Sequence, residues 1–288
     1  MLHIKRVARA LKGNATRQVR ILSGIKARPK APVLAQSLEN IVDRHSKLCK
    51  LLQSLIPRDF PLVGKMACEV GPGDCLANAA LMLGLGAAHV DLIEMQPAVV
   101  NEKQIRALET IRQMDIPVSM EIVDKVGMLL NAGKVTYQQS YMENYVVNDR
   151  YDFICSFNVG EHVEDMDGFF ASCYRATRPG GINAHMIDLG GHGEFEDPLP
   201  PLDFQTYPDW LYGMMFPPYN RATRRFCSEY ADAGRKAGFE LIEVVKLRTA
   251  ESGYLKAIRP LLRKAAQERS DEEISVIEFA LIARKPVC

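Results

Sequence analysis

No run of 18 uninterrupted apolar residues occurs in the 288-residue sequence, so no membrane-spanning helix is expected. An apolar N-terminal run ahead of a small-residue cleavage site is also missing, which argues against a secretory leader. Cysteines are few and odd in number: Cys49, Cys68, Cys75, Cys155, Cys173, Cys227 and Cys288, with no CxxC pair. Neither a disulfide framework nor a zinc site is expected, and a reducing cytoplasm is the simpler setting. No acidic residue precedes Glu39, whereas residues 1–30 carry nine basic side chains. The net charge of +1 thus hides a basic arm and an acidic body, residues 31–288, with 27 basic against 35 acidic groups. An acidic body argues against duplex nucleic acid as a partner, because phosphate neutralisation supplies most of that affinity. What remains, 47% hydrophobic and 25% charged, is ordinary globular composition.

The arm has helical periodicity. Ile4, Val7, Ala8, Leu11, Ala15, Val19 and Leu22 fall near one face, with basic residues over much of the rest. Three readings stand open: a surface helix, an interfacial helix on anionic lipid at the inner face of a membrane, or an Arg-rich presequence. Arg28-Pro29-Lys30-Ala31-Pro32 reads as a linker, and a second helix is expected over 35–56. Residues 1–58 are therefore expected as arm and helical segment, and 59–288 as the main domain.

From residue 64 short apolar runs alternate with helical segments. Strands are expected at 65–70, 89–94, 118–122, 135–138, 151–156, 182–187, 239–247 and 274–283. Helices are expected after the first strand to residue 85, and at 96–114, 166–177, 229–237 and 254–268. Alternation of this kind means an α/β fold with a mostly parallel sheet and helices on both faces. Its ligands sit beyond the carboxyl ends of the strands. Residues 190–225 interrupt the pattern with six prolines and the only tryptophan, Trp210. A loop of that length is expected to be a lid, a binding loop or disordered, and its aromatic content argues for packing over something.

The informative stretch is Ala67-Cys68-Glu69-Val70-Gly71-Pro72-Gly73-Asp74, a strand ending in an acid and turning through Gly-x-Gly into a helix. Glycines there allow a sharp turn and close approach of a ligand to backbone. A dinucleotide site wants a third glycine, and the sequence has Leu76 instead. Glu69 suits a ligand with an ammonium group better than a pyrophosphate. The second strand ends in Glu94, 21 residues after Gly73, where a carboxylate can accept both hydroxyls of a ribose. An acid for an ammonium and an acid for a ribose describe S-adenosylmethionine better than a nicotinamide cofactor. A nicotinamide-dependent oxidoreductase and a non-catalytic docking protein on the same fold are the rival readings.

These residues resemble a known family. Glu69-Val70-Gly71-Pro72-Gly73 resembles the first motif of class I S-adenosylmethionine-dependent methyltransferases, and Glu94 matches their ribose-binding acid. The stretch from Tyr151 to Val163, with Asn158 and Gly160-Glu161-His162, is similar to the fourth-strand motif of the small-molecule, type 11-like subgroup. Arg178-Pro179-Gly180-Gly181 resembles the turn before the fifth strand. A weaker likeness, through 185–192 and Tyr219-Asn220-Arg221, is to methyltransferases of surface-polysaccharide synthesis.

The resemblance implies a Rossmann-like sheet of seven strands with the last antiparallel, N-terminal helices outside it, and bound S-adenosylmethionine. It implies cofactor contacts at Glu69, Gly71, Gly73, Glu94 and Asn158, with Met95 over the adenine. A further adenine contact is expected among Tyr141, Met142 and Glu143. The acceptor is expected to be a small molecule or a glycan, with a hydroxyl as the methylated group. His162, just after the fourth strand, is the candidate general base, since an imidazole titrates near neutrality. Asp188 and His192 follow the fifth strand and could act as an oriented acid and base. Two such ligands are too few to argue a metal. Arg221 and Arg224 could hold an anionic group on the acceptor.

Overall fold

The computed structural model describes residues 7–8, 10–12, 37–73, 75–96, 102–125, 128–129, 134–191, 200–216 and 222–287. His192, the 28–32 linker and the 219–221 stretch lie outside the described residues, as does most of the basic arm.

Helix α1 (Leu38–Leu55) starts where Ser37 caps it, the Asn40 N–H donating to Ser37 Oγ at 3.2 Å. Its buried residues Ile41, His45, Cys49 and Leu52 recur every three or four positions and form one stripe. The alternating core follows: β1 (Met66–Val70), α2 (Ala77–Gly84), β2 (His89–Glu94) and α3 (Glu102–Gln113). A short hairpin, β3 (Val123–Lys125) and β4 (Met128–Leu129), precedes β5 (Val135–Gln139). Then come β6 (Tyr151–Phe157), α4 (Met166–Ala176) and β7 (Thr177–Asp188). The insertion holds α5 (Asp209–Met215). The chain closes with α6 (Cys227–Ala237), β8 (Glu240–Thr249), α7 (Ser252–Ile258), α8 (Lys264–Gln267), α9 (Asp271–Ile274) and β9 (Val276–Arg284).

Seven strands form one sheet in the order β5-β2-β1-β6-β7-β9-β8. β9, the last, runs antiparallel to both its neighbours, and the other contacts in the sheet are parallel. Side chains alternate between two buried layers: Phe153 and Cys155 join one, with Leu81 and Leu108, while Ile154 joins the other, with Phe169 and Phe170. Strand order reverses at β1 and β6, and the crevice beyond their carboxyl ends is the topological switch point.

Three expectations are corrected. Residues 118–122 are not a strand: 120–122 form a 3-10 turn, and the Ser119 N–H donates to the Ala80 carbonyl of α2 at 2.8 Å. The helix expected over 254–268 is broken, because Pro260 has no N–H to give and Arg263 has extended ψ of 153°. The insertion is not a bare loop. Phe204, Tyr207, Leu211, Tyr212 and Met215 form a small core of their own, against which Val7, Ala10 and Leu11 of the arm pack.

Candidate active site

β1 delivers Glu69 with its carboxyl 2% exposed. Oε1 accepts a hydrogen bond from Asn78 Nδ2 at 2.8 Å, whereas Oε2 and Asn78 Oδ1 are buried with no hydrogen-bond partner. Burial pushes this carboxyl up to about 8 against the hydrogen bond from Asn78, and the charge of Glu94 raises it further. Asn78 is the one polar side chain in the apolar helix Ala-Asn-Ala-Ala-Leu-Met-Leu-Gly. That oddity was the available sequence signal for it.

The turn between them uses left-handed backbone, with φ of +69° at Gly71 and +59° at Gly73. The Gly71 N–H donates to the Ile93 carbonyl at 2.8 Å and ties the turn to β2. A Cβ on Gly71 would lie 2.4 Å from Val159 Cγ2, so the turns after β1 and β6 touch here. A Cβ on Gly73 would meet nothing within 4 Å. One glycine is required by the protein's own packing, and the other opens onto the crevice. Leu76 has φ of −95° and is buried, so its position makes no demand for a third glycine.

Glu94 closes the other side. Its Oε2 accepts from the Gly73 N–H and its Oε1 from the Gln96 N–H, both at 3.0 Å. The two amides fix the carboxylate and leave each oxygen capacity to accept a further hydrogen bond. Met95 is 45% exposed, so it is not a core methionine. After β5, Tyr141 is exposed, Glu143 half-buried and Met142 packed in the core. Met142 is thereby removed from the adenine candidates.

After β6, Asn158 holds φ of +55°, a conformation that asparagine tolerates better than most residues, and its N–H donates to the Met186 carbonyl at 3.1 Å. The 3-10 turn over 160–162 then exposes His162 and buries Glu161 completely. Burial pushes the Glu161 carboxyl up to about 8, helped by the charges of Asp188 and Glu278. The sequence places this acid in the motif after β6 but carries no sign of its burial. Asp188 is committed elsewhere: Oδ1 accepts from the Gly190 N–H at 2.8 Å and pairs with Arg248 at 3.3 Å. Among the described residues no group of three potential metal ligands occurs.

The insertion is fastened to this rim. The Thr223 N–H donates to the Glu161 carbonyl at 2.6 Å, and Arg225 donates to the Val163 carbonyl at 2.7 Å. Beside these contacts lies an open cleft of about 560 Å³ bounded by Thr223, Arg224 and Arg263. Arg224 is buried and bonded to the carbonyls of Phe204 and Tyr207.

Residues 68–184 match the model of a methyltransferase domain family. No curated protein sequence matches the chain. Among solved structures, an S-adenosylmethionine-dependent methyltransferase from Mesorhizobium loti is 15% identical with a TM-score of 0.50, covering 85% of this chain and 100% of that one. One described as a putative S-adenosylmethionine-dependent methyltransferase from Listeria monocytogenes is 14% identical with a TM-score of 0.49, covering 84% and 99%. A complex between the Haloferax volcanii Trm112 methyltransferase activator and a protein described as a putative methyltransferase is 15% identical with a TM-score of 0.49, covering 86% and 93%.

Proposed function

We propose that this chain, whose residues 68–184 match a methyltransferase domain, uses S-adenosylmethionine to methylate a hydroxyl of a small molecule or glycan seated between the β6 rim and the insertion. The observation that carries the reading is the pair of buried acids around one glycine turn. Glu69 Oε2 and Asn78 Oδ1 are buried acceptors with no hydrogen-bond partner, and they suit an ammonium donor. Glu94 has its carboxylate held by two amides and suits a vicinal diol. The open side of Gly73 gives backbone clearance between them.

S-adenosylmethionine, when bound, supplies an electrophilic methyl group on a sulfonium. The chain's part is to align an acceptor with it and exclude water. Asn158 and Met95 are assigned to the walls of the cofactor crevice. His162, exposed on the turn after β6, is assigned as the base that takes the acceptor proton. Asp188, held by Arg248, is assigned to orienting the neighbouring Gly190 turn.

Titration calorimetry tests the assignment. Wild-type chain binds S-adenosylmethionine, and Glu94→Ala weakens that binding by about 10–100-fold, the worth of hydrogen bonds to a charged group. Full affinity in a folded Glu94→Ala variant would overturn it.

A further inference from the structure

The cleft beside the rim is lined by three guanidinium groups, Arg224, Arg225 and Arg263, and three carboxylates, Glu164, Asp209 and Glu229. Two guanidinium groups, Arg224 and Arg263, converge on one carboxylate, Asp209. Arg224 pairs with Asp209 Oδ1, and Arg263 NH1 lies 3.9 Å from the same oxygen. The remaining hydrogen bonds of both arginines go to neutral oxygens. Arg224 donates to the carbonyls of Phe204 and Tyr207, and Arg263 to Gln205 Oε1 at 2.8 Å and to the Arg224 carbonyl. Those acceptors orient the guanidinium groups without neutralising them. Arg224 is held below its ordinary value by burial and then by the charge of Arg263, as expected where two cations are crowded together.

The cleft's other charged groups have contacts of their own. Arg225 and Glu164 lie together, with Arg225 bonded to the Val163 and Glu164 carbonyls. Glu229 accepts from the Phe226 N–H at 2.8 Å and answers the positive end of its own helix, α6. Asp209, by contrast, is 80% exposed at the first turn of α5, where an ion pair is weak and easily displaced.

We propose that this cleft is the subsite for a phosphoryl group on the acceptor, which displaces the Asp209 carboxylate and bridges Arg224 and Arg263. A group of charge near −2 balances the two guanidiniums, whereas a carboxylate would only replace the one already there. The planar forks of the arginines match phosphate oxygens. The cleft reaches Glu164, two residues past His162, so a phosphoryl group held here leaves the rest of the acceptor beside the rim. The proposal deepens the methyltransferase reading and rests on it for the word acceptor.

Trp210, the only tryptophan and 68% exposed, follows Asp209 directly and reports on its displacement. Inorganic phosphate and acetate are titrated separately against the full chain, following tryptophan emission. Phosphate produces a saturable change, Asp209→Asn tightens its apparent affinity about 3-fold by removing the competing carboxylate, and Arg263→Gln weakens it on the order of 10-fold. An equal response to acetate, or a phosphate response unaltered in Asp209→Asn, overturns the proposal. Should Arg263→Gln fail to fold, Asp209→Asn decides alone. Calorimetry with S-adenosylmethionine on the same samples separates the two readings: its loss in wild type refutes the cofactor assignment, and leaves the phosphate titration to stand or fall by itself.

Discussion

Gly71 and Gly73 share a backbone conformation and differ in surroundings, so alanine at each should fail differently. At either position the left-handed backbone costs about 1–2 kcal/mol with a Cβ present. At Gly71 the new methyl also collides with Val159, so Gly71→Ala should lose stability by about 2–4 kcal/mol, measured by urea denaturation. Gly73→Ala meets no protein atom within 4 Å and should keep most of its stability while losing S-adenosylmethionine affinity, read by calorimetry. Both glycines and both acids were legible as residues, because chemistry at a turn is local. Asn78 and Glu161 were not singled out. Their significance comes from burial, which depends on what the rest of the chain places over them.

Among the elements, β2 carries a second acid with a structural task. Asp91 is 1% exposed and accepts from Arg150 Nε at 2.7 Å and Tyr151 Oη at 2.6 Å, linking β2 to the start of β6 across β1. Asp91→Ala removes the acceptor shared by Arg150 and Tyr151 and leaves the buried Tyr151 phenol only its contact with Tyr145 Oη at 3.0 Å, and urea denaturation should show a loss of about 2–4 kcal/mol. The strands of the parallel sheet were readable because they are apolar on both faces and bounded by turns. The short helices were not. α5 is seven residues long, follows Pro208 and spaces Leu211, Tyr212 and Met215 among proline-rich flanks that obscure a helical period. The segment 118–122 alternates Val118, Met120 and Ile122 with Ser119 and Glu121, and a period-two pattern over five residues does not distinguish a strand from a turn packed on α2.

For the molecule as a whole, buried titratable groups set the pH dependence of stability. Glu69 and Glu161 move from an ordinary value near 4.5 to about 8 in the fold, while His45 and His185 fall from 6.5 to about 4, chiefly through burial. Between pH 4.5 and 8 the folded state retains carboxyl protons that the unfolded chain has released, so those two groups make stability fall as pH rises. Between pH 4 and 6.5 the histidines act oppositely, because the unfolded chain binds the extra protons. The effects offset one another up to about pH 6.5, and above it the carboxyls act alone. Denaturation of the cofactor-free chain should therefore be nearly flat from pH 5 to 6.5 and weaken from 6.5 to 8. Glu161→Gln should remove about half of that decline.

The contact between residues 71 and 159 also bears on how such a chain can diverge. Their volumes trade against each other across the crevice floor, so a branched side chain at 159 is compatible only with the smallest residue at 71. Relatives that acquire alanine at the first position should carry alanine or glycine at the second, a paired drift in sequence that neither position would show alone.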